Sequence, residues 1–247
     1  MNGYYRGFFG MPPVVKNIIY INIIMLLASF AAANVFDTDL NRILGIYFPK
    51  SEMFRPIQIM SHMFMHGGIW HLFFNMFALY MFGQVLEQVW GPKRFLVYYF
   101  VTGLGAMLTH MTVIAVQYYK ALALITPDQL QEVLDNGYNY ALQLKAYTNP
   151  AMRELQSILY TPTVGASGAV FGVLLAFGVL FPNTQLMLLF PPIPMRAKYF
   201  VMIYGGLELY LAITQPGSSI AHTAHLGGMI FGYILIRIWR RTTKTLY

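Results

Sequence analysis

Four polar side chains in otherwise apolar stretches have the types and spacing needed for acyl transfer. Ser167 lies between small residues near the start of one apolar run, and His225 lies near the start of the last one. His71 and Asn75 are four residues apart, so they share one face of a helix. A hydroxyl that attacks a carbonyl needs a base and donors for the oxyanion. His225 is the candidate base, and His71, Asn75 and the Ser167 backbone N–H are candidate donors.

The alternative for Ser167 is packing, because small residues are common where membrane helices touch.

The composition places these residues in a membrane protein. The 247 residues are 57% hydrophobic and only 10% charged, too apolar for a soluble domain. With no cysteine, disulfides and thiolate chemistry are excluded. The net charge is +7, and the basic residues lie mainly at the ends of apolar runs. This distribution favours a lipid bilayer over nucleic acid as the partner.

The apolar runs predict an all-α polytopic membrane protein, a bundle of six transmembrane helices. We expect a short cytoplasmic leader at 1–14, a membrane domain at 15–239 and a basic cytoplasmic tail at 240–247. Ten of the 16 Lys and Arg residues fall on one side if both termini are cytoplasmic, which favours that orientation. A bacterial cytoplasmic membrane fits this pattern, with an organelle as the alternative. The predicted spans are 15–33, 66–89, 95–118, 163–181, 198–214 and 220–239.

Two connections differ from simple loops. An outer insert at 119–161 contains two capped, amphipathic patterns, at 126–137 and 149–159, each too short to span a bilayer. We expect the insert to lie on the membrane surface, with contact to a substrate as the alternative. Residues 185–194 predict an apolar, proline-rich turn.

In the predicted topology the second, fourth and sixth spans all enter from the outer face. Ser167 then lies four residues inside its span, about 6 Å along the axis, and His71 and His225 lie at a similar depth. Polar side chains inside a membrane usually face a cavity or one another, so a shared outer pocket is expected.

Small residues predict that the fourth and sixth spans approach closely. Gly168 and Gly172 repeat at four residues in one span, and Gly228 and Gly232 do so in the other. Close approach is what a hydrogen bond between Ser167 and His225 requires. Phe171, one turn after the serine, is expected either to stack on the histidine ring or simply to fill the core.

The remaining titratable residues suggest other sites less well. No acid is obviously placed to orient His225, so a dyad is expected rather than a triad, and Glu208 is expected to form a structural pair. The histidine groups, His62 to His71 and His222 with His225, lack a cysteine or acid nearby to complete a metal site. We therefore expect neither a metal nor a cofactor. His110 shows no partner in the sequence.

These motifs resemble the rhomboid family of intramembrane serine proteases. The similarity rests on Gly165-Ala166-Ser167-Gly168, on Ala224-His225 followed by Gly228, and on His71 with Asn75, and it covers nearly the whole six-span core. It implies that Ser167 is the nucleophile and His225 the general base, with His71 and Asn75 at the oxyanion hole. The expected substrates are transmembrane proteins, cut in or near their membrane segments.

Two other functions remain open. A catalytically inactive rhomboid-like protein would bind membrane-protein clients, but such proteins commonly lack the serine or the histidine. A transporter would need broken helices and acids that coordinate ions at the midplane, and Glu208 alone supports that weakly. The sequence leaves the substrate and the oligomeric state open.

Overall fold

A computed structural model describes residues 10–187, 192–215 and 221–242, and most of these residues are helical. Helices α1 to α11 and strands β1 and β2 are numbered in chain order. The helices are α1 (Pro13–Phe36), α2 (Leu40–Leu44), α3 (Gln58–Ser61), α4 (Ile69–Ala78), α5 (Gln84–Trp90), α6 (Pro92–Leu122), α7 (Pro127–Leu142), α8 (Pro150–Tyr160), α9 (Ser167–Leu180), α10 (Ala197–Thr214) and α11 (His222–Thr242); the strands are β1 (Gln185–Met187) and β2 (Pro194–Arg196).

Among the residues that the structure describes, three helical segments are long and apolar enough to cross a bilayer. They are Pro13–Phe36, Ile69–Trp90 and Pro92–Leu122. The second of these joins α4 to α5 through one π-helical turn, Leu79–Gly83. The chain is therefore an all-α polytopic membrane protein. Crossings by α9, α10 and α11, and with them the count of six spans, stay a prediction.

The helix that carries Ser167 begins later than the sequence suggested. The predicted span began at 163, but α9 begins at Ser167 itself. The residues before it are extended because Thr163 exchanges two backbone hydrogen bonds with Ile46, at 2.8 and 2.9 Å. Gly165 then turns the chain with a φ of 132°, in the left-handed region that favours glycine. The serine therefore stands at the helix N-terminus rather than 6 Å inside the helix.

The other two site helices also begin close to their polar residues. Helix α4 begins at Ile69 instead of 66, so His71 lies in its first turn. Helix α11 begins at His222, so His225 is in its first turn as well. The predicted start of that span at 220 lies outside the described residues. All three side chains thus lie at helix starts, and their common depth in the membrane stays a prediction.

A short hairpin corrects the prediction of a simple turn at 185–194. Strands β1 and β2 pair antiparallel, with Gln185 opposite Arg196 and Met187 opposite Pro194. Residues 188–191 between them lie outside the described part of the chain. Alternating exposure along each strand shows that one face of the hairpin is more covered than the other.

The insert is a packed helical layer. Its first helix, α7, begins with a capping box between Thr126 and Gln129 and runs past Gly137, where the sequence predicted its end. Gly137 continues the helix because it packs against Tyr160 of α8, and a Cβ there would lie 2.7 Å from that ring. Leu155 and Leu159 of α8 are buried in a second core cluster beneath the insert.

Candidate active site

Ser167 and His225 form a direct side-chain contact between two helices. The serine Oγ lies 2.9 Å from Nε2 of the histidine, a normal hydrogen-bond distance. The histidine is buried, with 7% of its surface exposed, whereas the serine is half-buried. An imidazole nitrogen held at this distance from a hydroxyl has the geometry of a nucleophile and its base.

The contact depends on a very close approach of α9 to α11. A Cβ atom at Gly228 would lie 1.9 Å from the backbone carbonyl oxygen of Gly168. Backbone cannot move aside cheaply, so only glycine fits at position 228. This confirms the predicted close packing at these two residues. Since His225 precedes Gly228 by one helical turn, the approach of the two backbones sets the distance between Ser167 and His225.

The other three glycines of the two predicted repeats face a third helix, which differs from the prediction. Cβ atoms at Gly168, Gly172 and Gly232 would meet Ala106, Thr102 and Tyr98, all on α6. The repeat at four residues therefore places α9 and α11 against α6 as well as against each other. The most extensive helix contacts are those among α6, α9 and α11. The sequence could not distinguish these partners because a small residue does not specify its neighbour.

Phe171 stacks on the proposed base. Its ring lies 4.1 Å from the His225 ring, centroid to centroid, with the planes only 8° apart. This bears out stacking over simple core filling. The stacking of Phe171 limits rotation of the imidazole ring, while the contact with Ser167 fixes the position of its Nε2.

One ring nitrogen of His71 faces the turn at Gly165, just before Ser167. The Gly67 backbone N–H donates to Nδ1 of His71 at 3.3 Å. In the neutral ring the proton is then on Nε2. A Cβ at Gly165 would lie 3.0 Å from that Nε2 and 3.6 Å from the Ser167 Oγ. The missing side chain at Gly165 therefore leaves open space between a donor and the serine hydroxyl.

Asn75 is buried one turn further along α4, with 6% of its surface exposed. Its Nδ2 donates to the His71 carbonyl at 2.8 Å, which uses one of its two N–H bonds. The second N–H is free for another acceptor. His71, Asn75, Ser167 and His225 all line one cleft.

A carboxylate contacts His225, contrary to the expectation that no acid could orient it. Oε2 of Glu208, on α10, lies 2.9 Å from Nδ1 of His225 and 2.6 Å from Nδ1 of His222. The His222 contact is a well-aligned hydrogen bond, whereas the His225 contact has the distance but not the alignment. The predicted structural pair therefore exists, with His222 as the partner, and it also touches the candidate base.

The spacing of Glu208 Oε2, His222 Nδ1 and His225 Nδ1 favours protons between these atoms over a bound metal ion. Tetrahedral zinc with bonds of 2.0–2.1 Å keeps its ligand atoms about 3.3 Å apart. Both nitrogen–oxygen distances at Glu208 are shorter than this. The cluster would have to open to hold a metal ion.

Two further histidines brace the site. The sequence shows no partner for His110, and in the structure its ring contacts Thr223 Oγ1 at 2.7 Å and Thr163 Oγ1 at 3.2 Å. It therefore ties α6 to the chain before α9 and to α11. His66 lies edge-on to His71, with ring centroids 5.1 Å apart. Burial, aided by the neighbouring His71, lowers the pKa of His66 to about 4, so this ring is neutral at neutral pH.

The cleft above these residues is large and mostly apolar, with a volume of about 1620 Å³. Aromatic side chains of α4 form one wall, and Phe200 and Tyr204 of α10 form another. The insert contributes Glu154, Ser157 and Ile158 of α8. The insert thus borders the cleft, and the alternative that it contacts a substrate stays a prediction.

Comparison with known proteins identifies the class of this membrane protein. A family model described as the rhomboid domain matches residues 52–242, most of the chain and all of the site described above. The chain therefore belongs to the rhomboid family.

Individual relatives include both proteases and mitochondrial proteins. The chain is 27% identical to Rhomboid protein 1, mitochondrial, of Saccharomyces cerevisiae, over 75% of this chain and 42% of the relative. It is 25% identical to the rhomboid protease AarA of Providencia stuartii, over 70% and 52%. It is 26% identical to the putative rhomboid protease YdcA of Bacillus subtilis, over 94% and 90%. The chain thus spans about half the length of the first two and nearly all of the third.

The packing of Gly228 predicts that adding one methyl group there disrupts the site. Gly228→Ala should separate α9 from α11 and lower the reaction rate at Ser167 by roughly 100-fold, the effect of a misplacement of about 1 Å. The measurement is the rate of covalent labelling by a fluorophosphonate in detergent.

Gly206→Ala is the matched control, because a Cβ at Gly206 meets no atom within 4 Å. It should keep the wild-type rate, and its helix should gain up to about 1 kcal/mol of stability. Wild-type labelling by folded Gly228→Ala would contradict the packing argument.

Proposed function

We propose that this chain is an intramembrane serine endopeptidase that cuts transmembrane proteins in or near their membrane segments. The observation that carries the proposal is the 2.9 Å contact between Ser167 Oγ and His225 Nε2, on the wall of a cleft that extends between α4 and α10. The match to the rhomboid domain and a relative named as a protease support it.

The first half of the reaction forms an ester. Ser167 Oγ attacks the carbonyl carbon of the substrate as its proton moves to Nε2 of His225. The oxyanion accepts hydrogen bonds from Nε2 of His71, from the second N–H of Asn75 and from the Ser167 backbone N–H, which has no acceptor inside its helix. The intermediate then breaks its C–N bond, and His225 returns the proton to the leaving amine.

The second half removes the acyl group. A water molecule attacks the ester carbon and gives its proton to His225, and the same donors hold the new oxyanion. The C–O bond to Ser167 then breaks, the serine regains the proton, and the product leaves with a new carboxyl end. Because Ser167, His71 and His225 lie in the first turns of their helices, water reaches the site from the outer face in the proposed topology.

In that topology the chain crosses the bilayer six times with both termini in the cytoplasm, in a bacterial cytoplasmic membrane. The apolar cleft walls suit a hydrophobic segment of a substrate. Binding alone, as in an inactive relative that holds clients, would need the cleft but not the contact between Ser167 and His225. That contact is therefore the reason to favour catalysis.

The proposal predicts hydrolysis by the purified protein in a bilayer. Reconstituted wild type should cut some members of a panel of single-span proteins, with the cut in or beside the span. Ser167→Ala and His225→Ala should each abolish cleavage, since loss of either group in a serine protease costs on the order of 10⁶-fold. Mass spectrometry of the products locates the cut.

Cleavage that persists in Ser167→Ala would refute the assignment of the nucleophile. Stable binding of the same panel by wild type, without cleavage, would favour the client-binding function.

The cleft also predicts a preference in the substrate. Among the described residues that line it, Glu154 is the one carboxylate, and none is Lys or Arg. A basic side chain near the cut, on the outer side, should therefore be favoured over an acidic one by roughly fivefold, the value of a partly exposed ion pair. Glu154→Lys should reverse this preference in competing substrates that differ only at that position.

Asp128→Lys is the matched control. Asp128 is an exposed residue of α7 that does not line the cleft, and its replacement changes the net charge equally. Reversal by both variants would mean that overall charge, and not the cleft, selects the substrate.

A further inference from the structure

We infer that Glu208 is a positioning residue that orients His225, so that the site works as a Ser–His–Glu triad. This inference rests on the proposed function, because it assigns the third member of that catalytic group. Its basis is the 2.9 Å contact between Glu208 Oε2 and His225 Nδ1, on the opposite edge of the ring from Ser167.

The burial of Glu208 sets it apart from most of its helix. Most large side chains of α10 are exposed on the surface of the bundle, among them Met202, Leu209 and Ile213. Glu208 faces inward and has 7% of its surface exposed. A carboxyl group buried within a membrane bundle is costly unless it is paired, so its position demands partners.

The two imidazoles supply those partners through a single oxygen. His222 satisfies Oε2 with an aligned hydrogen bond of 2.6 Å, and a purely structural pair would need nothing more. The same oxygen nevertheless lies within hydrogen-bond distance of His225. The imperfect alignment there is typical of catalytic groups without substrate, whose hydrogen bonds tighten during reaction.

The contact fixes which ring nitrogen of His225 carries the proton. A carboxylate oxygen accepts, so the proton of the neutral ring is held on Nδ1. Nε2 then presents its lone pair to the Ser167 hydroxyl, as a general base must. Once the serine proton has moved, the same carboxylate stabilises the imidazolium. His222 holds the carboxylate in place, and Phe171 fixes the plane of the ring.

Other titratable groups also face His225 and bear on its pH response. His71 reaches the cleft from α4, His110 from α6, and Tyr204 from α10. His222 lies on the same helix, with its ring 6.2 Å away. Of the groups named here that face His225, only Glu208 provides a negative charge to offset an imidazolium. Its removal should therefore change the pH dependence of the reaction in a way that the loss of another neighbour would not.

The test is the rate of fluorophosphonate labelling at Ser167 as a function of pH, for wild type, Glu208→Gln and Glu208→Asp in detergent, each measured with and without a chelator. Glu208→Gln should lower the rate by at least about tenfold, and at most by the roughly 10⁴-fold that an amide causes in a serine protease triad. The acid limb of the profile should also move to lower pH, because the imidazolium has lost its counter-charge. Glu208→Asp restores the charge, so its acid limb should stay near that of wild type.

Glu87→Gln is the control for a purely structural loss. Glu87 is a second buried carboxylate, remote from the cleft, that accepts hydrogen bonds from the Val14 and Val15 backbone at the start of α1. This variant should lose thermal stability but keep the wild-type acid limb. An unchanged limb and a rate within twofold of wild type in folded Glu208→Gln would overturn the inference.

Two further outcomes also decide the matter. If Glu208→Gln does not fold, Glu208→Asp decides alone: its shorter side chain should lower the rate by roughly tenfold, and a wild-type rate would overturn the inference. Labelling that the chelator abolishes would mean that these residues hold a metal, which also overturns it. Wild type that never labels would instead defeat the proposed function, and the positioning role with it.

Discussion

The contact of the Gly228 position with the Gly168 carbonyl is the constraint on which the site depends. Two helices that meet with no side chain between them cannot slide or separate without breaking their backbone packing. The first turns of α9 and α11 are thereby held together, and the hydrogen bond between Ser167 and His225 follows from that geometry. Helix α6 lies behind both of them through Ala106, Thr102 and Tyr98 and keeps the pair from opening.

A second constraint is the need to pair the buried carboxylate of Glu208. The bundle buries Glu208 beside two imidazoles, and an unpaired charge there would destabilise the fold. The arrangement that satisfies the charge is also the one that holds the ring of His225 by its far edge. Packing by Phe171 and pairing by Glu208 thus restrain the same imidazole in perpendicular directions, which leaves its Nε2 directed at the serine.

Much of this site follows from the sequence because it depends on residue types that are unusual in a membrane. Ser167, His225, His71 and Asn75 stand out as polar side chains near the starts of apolar runs, and Gly228 stands out as a small residue one turn beyond His225. The structure brings all of these together, and it bears out the stacking of Phe171. The two amphipathic helices of the insert were predictable from their capping residues.

Other features depend on contacts that a linear pattern does not encode. The late start of α9 results from backbone pairing between Thr163 and Ile46, which are far apart in sequence. Glu208 reaches His225 only because α10 packs on α11, and no spacing rule relates residues on two different helices. The partners of His110 are likewise on other segments. The strands β1 and β2 are too short for alternation of hydrophobic residues to predict the hairpin.

Activation of Ser167 as a nucleophile by His225 can be tested by finding where a serine-directed probe attaches. The protein in detergent is treated with a fluorophosphonate and digested, and the adduct is located by tandem mass spectrometry. We expect one dominant adduct, on Ser167, that is absent from His225→Ala and from protein unfolded before treatment. Labelling of Ser167 that survives either change, or no adduct on the folded wild type, would contradict it.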